Sequence, residues 1–345
     1  MSEHYLLFLN RAYSFSILKP LQSAIQQRGG KAAWFLHDLD PSQLKSDDHL
    51  LHSVDEVKSF NPRAVFVPGN WVPDFFPGIK VQIFHGFGIE KKGHFVIRGH
   101  FDLYCTHGPL TTKPFQSLAE RHGYFRAIET GWPKMDNLMQ FDRTEITSKR
   151  EQIGKPIVLY APTFSSSLCS APALQGAIQE LSRQGSYHWL VKFHPLMHED
   201  MVRQFREMAH QHLEFIEDPD IIPCLHMADV LLTDTSSVVS EFLLLNKPVV
   251  TFRTLMPADH LIDFEEADEL EKKIELAFKQ PDAVMAAARK FVRQMHPYSD
   301  GRSSERVLAA TDSFIDQNEG KLKSKPLNLY RKLQIRRRMQ YYHWK

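Results

Sequence analysis

The chain has 345 residues, of which 43% are hydrophobic and 24% are charged, and its formal net charge is +1. This length suits two domains of roughly 150 residues each, and the near-neutral charge argues against nucleic acid as a partner. The cysteines, Cys105, Cys169 and Cys224, form no CxxC pair, so neither a zinc site nor a disulfide framework is indicated, which fits a reducing cytosol.

The apolar run at residues 5–9 is short and lacks the basic start and longer apolar stretch of a secretory signal. No window holds about 18 uninterrupted apolar residues, the length that spans a bilayer. We therefore expect a cytoplasmic protein that meets its substrates on the cytoplasmic side of the membrane.

Short apolar runs rich in β-branched and aromatic residues recur along the chain and predict strands at residues 5–9, 33–36, 64–67, 81–84, 103–105, 157–160, 189–193, 230–232 and 249–252. Runs of this length with little alternation indicate strands buried on both faces, and hence parallel sheets covered by helices. Segments with helical length and spacing lie between them, for example residues 17–28, 173–183, 201–212 and 238–245. The alternation predicts an α/β fold.

The alternation is interrupted at residues 141–155, which are rich in charged residues, and it restarts at Ile157. We therefore predict an N-terminal domain over residues 1–145, a C-terminal domain over residues 155–320 and a separate tail over residues 321–345. Open α/β domains in tandem bind ligands in a cleft outside the carboxyl ends of their strands. Polar residues that directly follow predicted strands are therefore the site candidates.

The first candidate is His85, which follows the predicted strand 81–84 and precedes Gly86. The glycine lets a ligand approach the backbone, and imidazole titrates near neutrality. This pattern favours a general base, which typically contributes about 10²–10⁴-fold to a rate. A structural histidine is the alternative.

The second candidate is the pair Lys192 and His194 in the predicted strand 189–193 and its end, just before Pro195. Residues two apart on a strand lie on the same side of it, and the proline ends the strand. A cation beside an imidazole can hold a phosphate and neutralise the charge of a leaving group. The alternative is a surface lysine beside a capped turn.

The third candidate is the hydroxyl-rich turn between strand 230–232 and helix 238–245, which contains Asp234, Thr235, Ser236 and Ser237. Unpaired backbone N–H groups and the positive end of the helix dipole bind anions at such a turn, and hydroxyls add donors. Glu241 lies about one turn inside the helix, where a ribose would lie. Simple N-capping is the alternative.

Metal and cofactor motifs find little support in the sequence. The Asp-x-Asp patterns at residues 38–40 and 218–220 have prolines beside or within them, so turns are the expected structure. Neither GxxxxGK[ST] nor GxGxxG occurs. We therefore predict no metal and no cofactor.

The tail carries many lysines and arginines and no acidic residue, and a rough helical face contains Leu327, Tyr330, Leu333, Arg337 and Tyr341. A basic helix with aromatic residues can lie on an anionic bilayer. The alternative is that the tail packs across the first domain with its charges in solvent. We favour packing for the helix body and membrane contact for the last residues.

Taken in order, these segments resemble the CDP-glycerol glycerophosphotransferases of teichoic-acid and related polymer synthesis. The resemblance spans residues 80–310 and rests on His85-Gly86 with Lys91, Lys92 and Gly93, and on residues 130–136, 160–164, 192–195, 228–237, 246–248 and 300–306. Each segment alone is weak, and their shared order makes the resemblance specific.

The resemblance implies a GT-B fold, in which two Rossmann-like domains face each other across a central cleft. It implies transfer of glycerol phosphate from CDP-glycerol, or a related nucleotide-diphospho donor, to a hydroxyl of a polymer or lipid-linked acceptor, with release of CMP. His85 corresponds to the base and His194 to a second catalytic residue. The implied donor-binding residues are Lys192, Thr163, Asp234, Thr235, Ser236, Ser237, Glu241, Arg302 and Arg306.

Two departures from the family pattern matter. His-Gly-Thr-Pro-Leu-Lys is common in the family, whereas Phe87, Gly88, Ile89 and Glu90 follow the glycine here, which leaves the acceptor and the transferred group open. The usual Asp-Tyr-Ser-Ser has threonine as its second residue here, a conservative change for phosphate binding. Two other functions remain open: a GT-B glycosyltransferase or epimerase-like enzyme with a nucleotide-sugar donor, and a non-catalytic protein that docks by its basic tail.

Overall fold

The computed structural model describes residues 3–11, 14–88, 93–318 and 321–343. The chain forms two compact units. The first unit contains Met1–Gln140 and Gln294–Lys345, and the second contains Phe141–Arg293.

The first unit is built on a six-stranded parallel sheet with the order β2-β1-β3-β4-β5-β6. Its strands are β1 (His4–Leu9), β2 (Lys31–Leu36), β3 (Ala64–Val67), β4 (Ile79–Gln82), β5 (Leu103–Thr106) and β6 (Arg126–Glu129). Apolar side chains on both faces of β1 and β3 are buried, as expected for a sheet covered by helices on both sides. The strand order reverses between β1 and β3, and ligands of such sheets bind outside the carboxyl ends of the strands at this switch point.

The helices of the first unit come from two segments of the chain, one before and one after the second unit. They are α1 (Phe15–Gln27), α2 (Val54–Phe60), α3 (Pro109–His122), α4 (Lys134–Met139), α12 (Ser303–Asn318) and α13 (Leu329–Arg338). Helix α12 packs against α1, α4 and β5, and its Asp312 accepts hydrogen bonds from Tyr5 at 3.1 Å and Arg28 at 2.6 Å. The boundary predicted at residue 320 is therefore corrected: residues from 294 onward complete the core of the first unit.

The second unit is built on another six-stranded parallel sheet, with the order β12-β11-β10-β7-β8-β9. Its strands are β7 (Ile157–Tyr160), β8 (His188–Val191), β9 (Leu213–Phe215), β10 (Val230–Thr233), β11 (Val249–Phe252) and β12 (Ile262–Phe264). Its helices are α5 (Thr144–Ile153), α6 (Ala171–Gln184), α7 (Glu199–Glu207), α8 (Ile222–Met227), α9 (Val238–Leu244), α10 (Leu270–Phe278) and most of α11 (Asp282–Met295). The switch point of this sheet lies between β7 and β10.

The α/β fold with two parallel sheets is confirmed, and every predicted strand forms part of a sheet. The edge strands β6, β9 and β12 were not predicted, because they are three or four residues long and contain charged side chains. Residues 141–155, predicted as a break, contain α5, whose polar composition hides a helical pattern. The helix predicted at 201–212 ends at Glu207.

The tail packs across the first unit, as we favoured for its helix body. Ile335 and Arg336 on α13 are buried, and the Arg336 Nη2 atom lies 3.2 Å from Asp74 Oδ2. Membrane contact was predicted for the last residues of the tail, of which Trp344 and Lys345 lie outside the described residues. Within the described ranges, no helix combines the length and the hydrophobicity that a bilayer crossing requires.

Candidate functional site

The turn that carries His85 directly follows β4 and is tightly held. Phe84 adopts φ +56°, a left-handed conformation that is unfavourable for a bulky residue and needs support from its surroundings. Its buried ring packs against Phe115 with the ring centroids 5.1 Å apart, and its carbonyl accepts a hydrogen bond from Trp132 Nε1 at 3.3 Å. Strand β4 ends at Gln82, two residues before the predicted end, and the turn at Phe84 leaves His85 exposed.

The His85 imidazole is held in the tautomer that a general base needs. Its Nδ1 atom lies 3.3 Å from the carbonyl oxygen of Pro68. Because a carbonyl oxygen only accepts, Nδ1 carries the hydrogen, and the neutral ring then carries its lone pair on Nε2. Pro68 directly follows β3, one of the two strands at the switch point of the first sheet. His85 therefore stands where a ligand of this sheet is expected.

A second histidine, His107, was not singled out from the sequence, although it follows β5 and precedes Gly108 as His85 follows β4 and precedes Gly86. It is fully buried beside the rings of Phe84, Phe87 and Trp132, and neither ring nitrogen has a hydrogen-bond partner among the described residues. Burial holds the pKa of His107 well below its usual range. A neutral imidazole therefore lies beneath the His85 turn as part of its aromatic support.

The segment at residues 130–136 joins the sheet to helix α12. The carboxylate of Asp136 accepts hydrogen bonds from the backbone N–H groups of Ser303 and Ser304, each at 2.7 Å, and so caps α12. The backbone N–H of Trp132 donates to His296 Nε2 at 3.0 Å. Burial lowers the pKa of His296 to about 4, so this acceptor stays neutral. These residues of the family pattern are structural.

Arg302 and Arg306, predicted to bind the donor, both belong to the first unit and pair with carboxylates of their own segment. Arg302 Nη2 lies 2.6 Å from Glu305 Oε2, and Arg306 forms an ion pair with Asp300. The Arg306 guanidinium also stacks 3.8 Å above the ring of Tyr298. Their role in donor binding stays a prediction. Lys91 and Lys92, which belong to the same resemblance, lie outside the described residues together with Ile89 and Glu90.

In the second unit, Asp234 ties together the two strands of the switch point. Its Oδ1 atom accepts from the backbone N–H of Thr163 at 2.8 Å, and Oδ2 accepts from the backbone N–H and the hydroxyl of Ser170 at 2.9 and 2.8 Å. Burial raises the pKa of Asp234, and these hydrogen bonds oppose the shift. Both carboxylate oxygens are thus engaged by the loop after β7. Asp234 shapes this loop and occupies the backbone N–H of Thr163, and the role of Thr163 in donor binding stays a prediction.

The hydroxyls that follow Asp234 line the start of α9. Thr235 and Ser236 are partly buried and Ser237, the N-cap residue, is exposed. Thr235 Oγ1 accepts from the backbone N–H of Leu255 at 3.0 Å, and Ser236 Oγ accepts from that of Val238 at 3.4 Å. Both hydroxyls therefore keep their own hydrogen available for an anionic oxygen.

Two charged residues lie close to α9, one buried and one half-buried. Glu241 is 6% exposed and lies in the first turn, where the helix dipole favours a carboxylate. Lys247 Nζ donates to the carbonyl oxygens of Leu225, His226 and Ala228 at 3.0, 2.7 and 2.6 Å, and so caps α8. Burial lowers the pKa of Lys247 to about 8. The segment at residues 246–248 therefore serves the fold, whereas Glu241 stays a candidate for the ribose.

Lys192 is a buried cation at the carboxyl edge of the second sheet. It directly follows β8, is 7% exposed, and its backbone N–H donates to the Tyr160 carbonyl at the end of β7 at 2.9 Å. Its ammonium forms no hydrogen bond or ion pair with a residue in the described part of the chain. Removing much of the hydration of an ammonium without giving it a partner is costly. The arrangement is therefore suited to an anionic ligand.

His194 stands beside Lys192 but is exposed, which corrects the prediction that the two share one side of a strand: β8 already ends at Val191. Its ring stacks on Phe164 with the centroids 4.4 Å apart. Nδ1 accepts from the backbone N–H of Leu196 at 3.1 Å, so Nε2 carries the hydrogen. Partial burial and the charge of Lys192 lower the pKa of His194. His194 thus offers a neutral Nε2–H donor.

Comparison with models of protein families identifies the family of this chain. The model of the CDP-glycerol:poly(glycerophosphate) glycerophosphotransferase family matches residues 100–311. The chain belongs to this family. The matched range contains Lys192, His194 and the Asp234 turn, and it begins after His85. A glycerophosphotransferase relative, the teichoic acid glycerol-phosphate primase of Bacillus subtilis (strain 168), is 24% identical over 207 residues, which cover 54% of this chain and 51% of the relative. The chain thus spans about half the length of that relative.

Solved structures show the same fold. The wall teichoic acid polymerase TagF, also solved as a variant soaked with CDPG, has a TM-score of 0.66 and 15% identity and covers 91% of this chain, which covers 90% of it in turn. The co-structure of Staphylococcus aureus MnaA with UDP has a TM-score of 0.65 and 14% identity, with coverages of 92% and 97%. This member of the glycerophosphotransferase family is therefore an α/β protein of GT-B type.

Proposed function

We propose that this protein transfers glycerol phosphate from CDP-glycerol to a hydroxyl of a polymer or lipid-linked acceptor and releases CMP. Membership of the glycerophosphotransferase family supports the donor class. The observation that carries the proposal is Lys192, a residue that is only 7% exposed and whose ammonium has no protein partner in the described residues, beside the switch point of the second sheet. The diphosphate of the donor would supply the negative charge that the Lys192 ammonium lacks as a partner.

Donor binding is assigned to the second unit. Lys192 faces the diphosphate, and the Thr235, Ser236 and Ser237 hydroxyls donate to its oxygens. His194 donates its Nε2–H to the phosphate that leaves with cytidine. These contacts neutralise the negative charge that grows on the leaving group, which is how phosphoryl transfer is accelerated.

The acceptor is activated by His85. Its Nε2 lone pair takes the proton of the acceptor hydroxyl as the oxygen attacks the phosphorus that bears glycerol. The new P–O bond forms while the bond from this phosphorus to the bridging oxygen breaks, and the bridging oxygen leaves with CMP. We place this reaction at the cytoplasmic face of the membrane, where a lipid-linked acceptor would be met.

A donor panel tests the proposal. The protein is incubated with CDP-glycerol, CDP-ribitol or UDP-N-acetylglucosamine, together with a glycerol-phosphate-primed acceptor, in a buffer containing a metal chelator. We expect CMP release with CDP-glycerol and equal amounts of glycerol phosphate on the acceptor. UDP or UMP release as the main product would replace the proposal by a nucleotide-sugar function, and a strict need for Mg²⁺ would overturn the metal-free mechanism.

A further inference from the structure

The tail is anchored to the first unit by one face of α13. Ile335 and Arg336 are 3% and 4% exposed, and the Arg336 guanidinium stacks 4.8 Å above the ring of Phe75 while it pairs with Asp74. Before the helix, Lys325 Nζ lies 2.7 Å from Asp102 Oδ1. These contacts fix which side of the helix points to solvent.

The outer face of the tail exposes large apolar side chains. We define this outer face as Leu327, Leu329, Tyr330 and Leu333, which are 75%, 60%, 74% and 51% exposed. Leu329 and Leu333 are four residues apart and Tyr330 and Leu333 are three apart, so they adjoin on one side of α13. Contiguous exposed apolar side chains on a folded protein mark a binding surface.

Cations without acidic partners surround the outer face. Lys321, Lys323, Arg331 and Arg337 are exposed, and none of them forms an ion pair with a carboxylate of the described chain. The whole tail contains no aspartate or glutamate. The cations that the fold does use, Lys325, Lys332 and Arg336, pair with Asp102 and Asp74 on the inner side. The surplus positive charge therefore lies on the solvent side, together with the leucines.

We propose that the outer face of the tail docks on a bilayer surface rich in anionic lipids. The leucines and Tyr330 enter the boundary between headgroups and acyl chains, and the flanking cations meet lipid phosphates. Aliphatic side chains at such exposure gain nothing from a nucleic acid, and a surface without carboxylates is poorly matched to a basic partner. This inference names the surface by which the protein would reach the membrane location proposed above. It does not depend on the transfer reaction.

Vesicle co-sedimentation of the full chain tests this inference. Vesicles of phosphatidylcholine alone are compared with vesicles in which half of the lipid is phosphatidylglycerol, at low and high salt. One variant, Leu329→Ser with Leu333→Ser, removes apolar contact, and another, Arg331→Gln with Arg337→Gln, removes charge. Leu276→Ser, at an exposed leucine of α10 in the second unit, is the matched control.

We expect the parent and the control to bind only the anionic vesicles, more weakly at high salt, and each double variant to lose binding by about tenfold or more. Parent binding to both vesicle types alike, no parent binding, or full binding by both variants would overturn the inference. A parent dimer that becomes a monomer in the leucine variant, measured by sedimentation, would assign the face to a second copy instead. Circular dichroism melts check folding, and CMP release with a water-soluble acceptor should stay unchanged, which separates this test from the proposed reaction.

Discussion

Lys192 combines burial with a charge that no described residue neutralises, a combination that folded proteins rarely tolerate outside a binding site. We predict that Lys192→Met stabilises the protein in the absence of ligand, because it removes a charge that is poorly hydrated and has no partner. A gain of 1 kcal/mol would raise the midpoint of thermal unfolding by about 2–4 °C. The same variant should bind CDP-glycerol at least about tenfold more weakly, since a charge-assisted hydrogen bond contributes about 1.5–3 kcal/mol.

Calorimetry of unfolding and of donor binding measures both effects. Lys279→Met, which removes an exposed lysine from the same unit, is the control and should change neither quantity appreciably. Unchanged donor affinity in Lys192→Met would remove Lys192 from the site. A large loss of stability would show that its ammonium has a structural partner.

In the proposed reaction His85 acts in the chemical step, so its removal should affect turnover more than binding. We predict that His85→Ala lowers the rate of CMP release by at least about 10²-fold while CDP-glycerol still binds. Single-turnover kinetics with saturating donor separates the two quantities. His52→Ala, at another exposed histidine of the first unit, is the control. Near-parent turnover in His85→Ala would exclude this residue as the base.

At the scale of single elements, the start of α12 depends on one carboxylate. Asp136 is 4% exposed and accepts the N–H groups of Ser303 and Ser304. We predict that Asp136→Ala lowers the free energy of unfolding by about 1–3 kcal/mol, because two buried donors lose a charged partner. Denaturant titration measures the change.

Asp142 provides a matched control, because it accepts the Thr144 N–H at 2.9 Å at the start of α5 but is exposed to solvent. Water can replace a lost acceptor there, so Asp142→Ala should cost clearly less than Asp136→Ala. Equal effects of the two substitutions would contradict the structural role assigned to Asp136.

The elements also show how far sequence patterns reach. The central strands could be predicted because strands that are buried on both faces consist of continuous apolar residues. The edge strand β6, Arg126–Glu129, begins and ends with a charged residue and shows no such pattern. The end of β4 was predicted two residues too late. The sequence does not indicate that the backbone of Phe84 adopts a left-handed conformation. Position after a strand was the only signal used for the polar site candidates, and it singled out His85 and Lys192, whose roles stay predictions. The hydrogen bonds by which Asp234 holds the loop after β7 could not be predicted, because their donors, Thr163 and Ser170, lie far away in the sequence.

At the scale of the whole molecule, the composition of the chain did not reveal that its last residues return to the first unit. The charged stretch at residues 141–155 marks where the chain leaves the first unit, but the return at residue 294 occurs inside α11, whose pattern is continuous. A helix that continues from one unit to the other gives no linker signal. The return is visible only in packing, through the contacts of α12 with α1 and β5.

The stability of the whole protein should fall in mild acid. Burial lowers the pKa of both His100 and His296 from 6.5 to about 4. Between these values the unfolded chain binds protons that the folded protein does not, so stability rises with pH through this window and is lost as pH falls. Each histidine should contribute about 1.4 kcal/mol per pH unit between its two pKa values.

Thermal unfolding at about pH 7 and about pH 5 measures this dependence. The midpoint should be lower at the acidic pH, and His296→Gln, which cannot take up a proton, should reduce the difference. A protein that is equally stable at both pH values would contradict the assignment of these histidines as buried and neutral.

The central claim is that phosphorus moves with glycerol from the donor to the acceptor. The most direct measurement uses CDP-glycerol that carries a radioactive label in the phosphate next to glycerol, with the acceptor and the nucleotide separated after the reaction. We expect the label on the acceptor and unlabelled CMP as the released nucleotide. Label that stays with the nucleotide as CDP would place the chemistry at carbon and contradict the account.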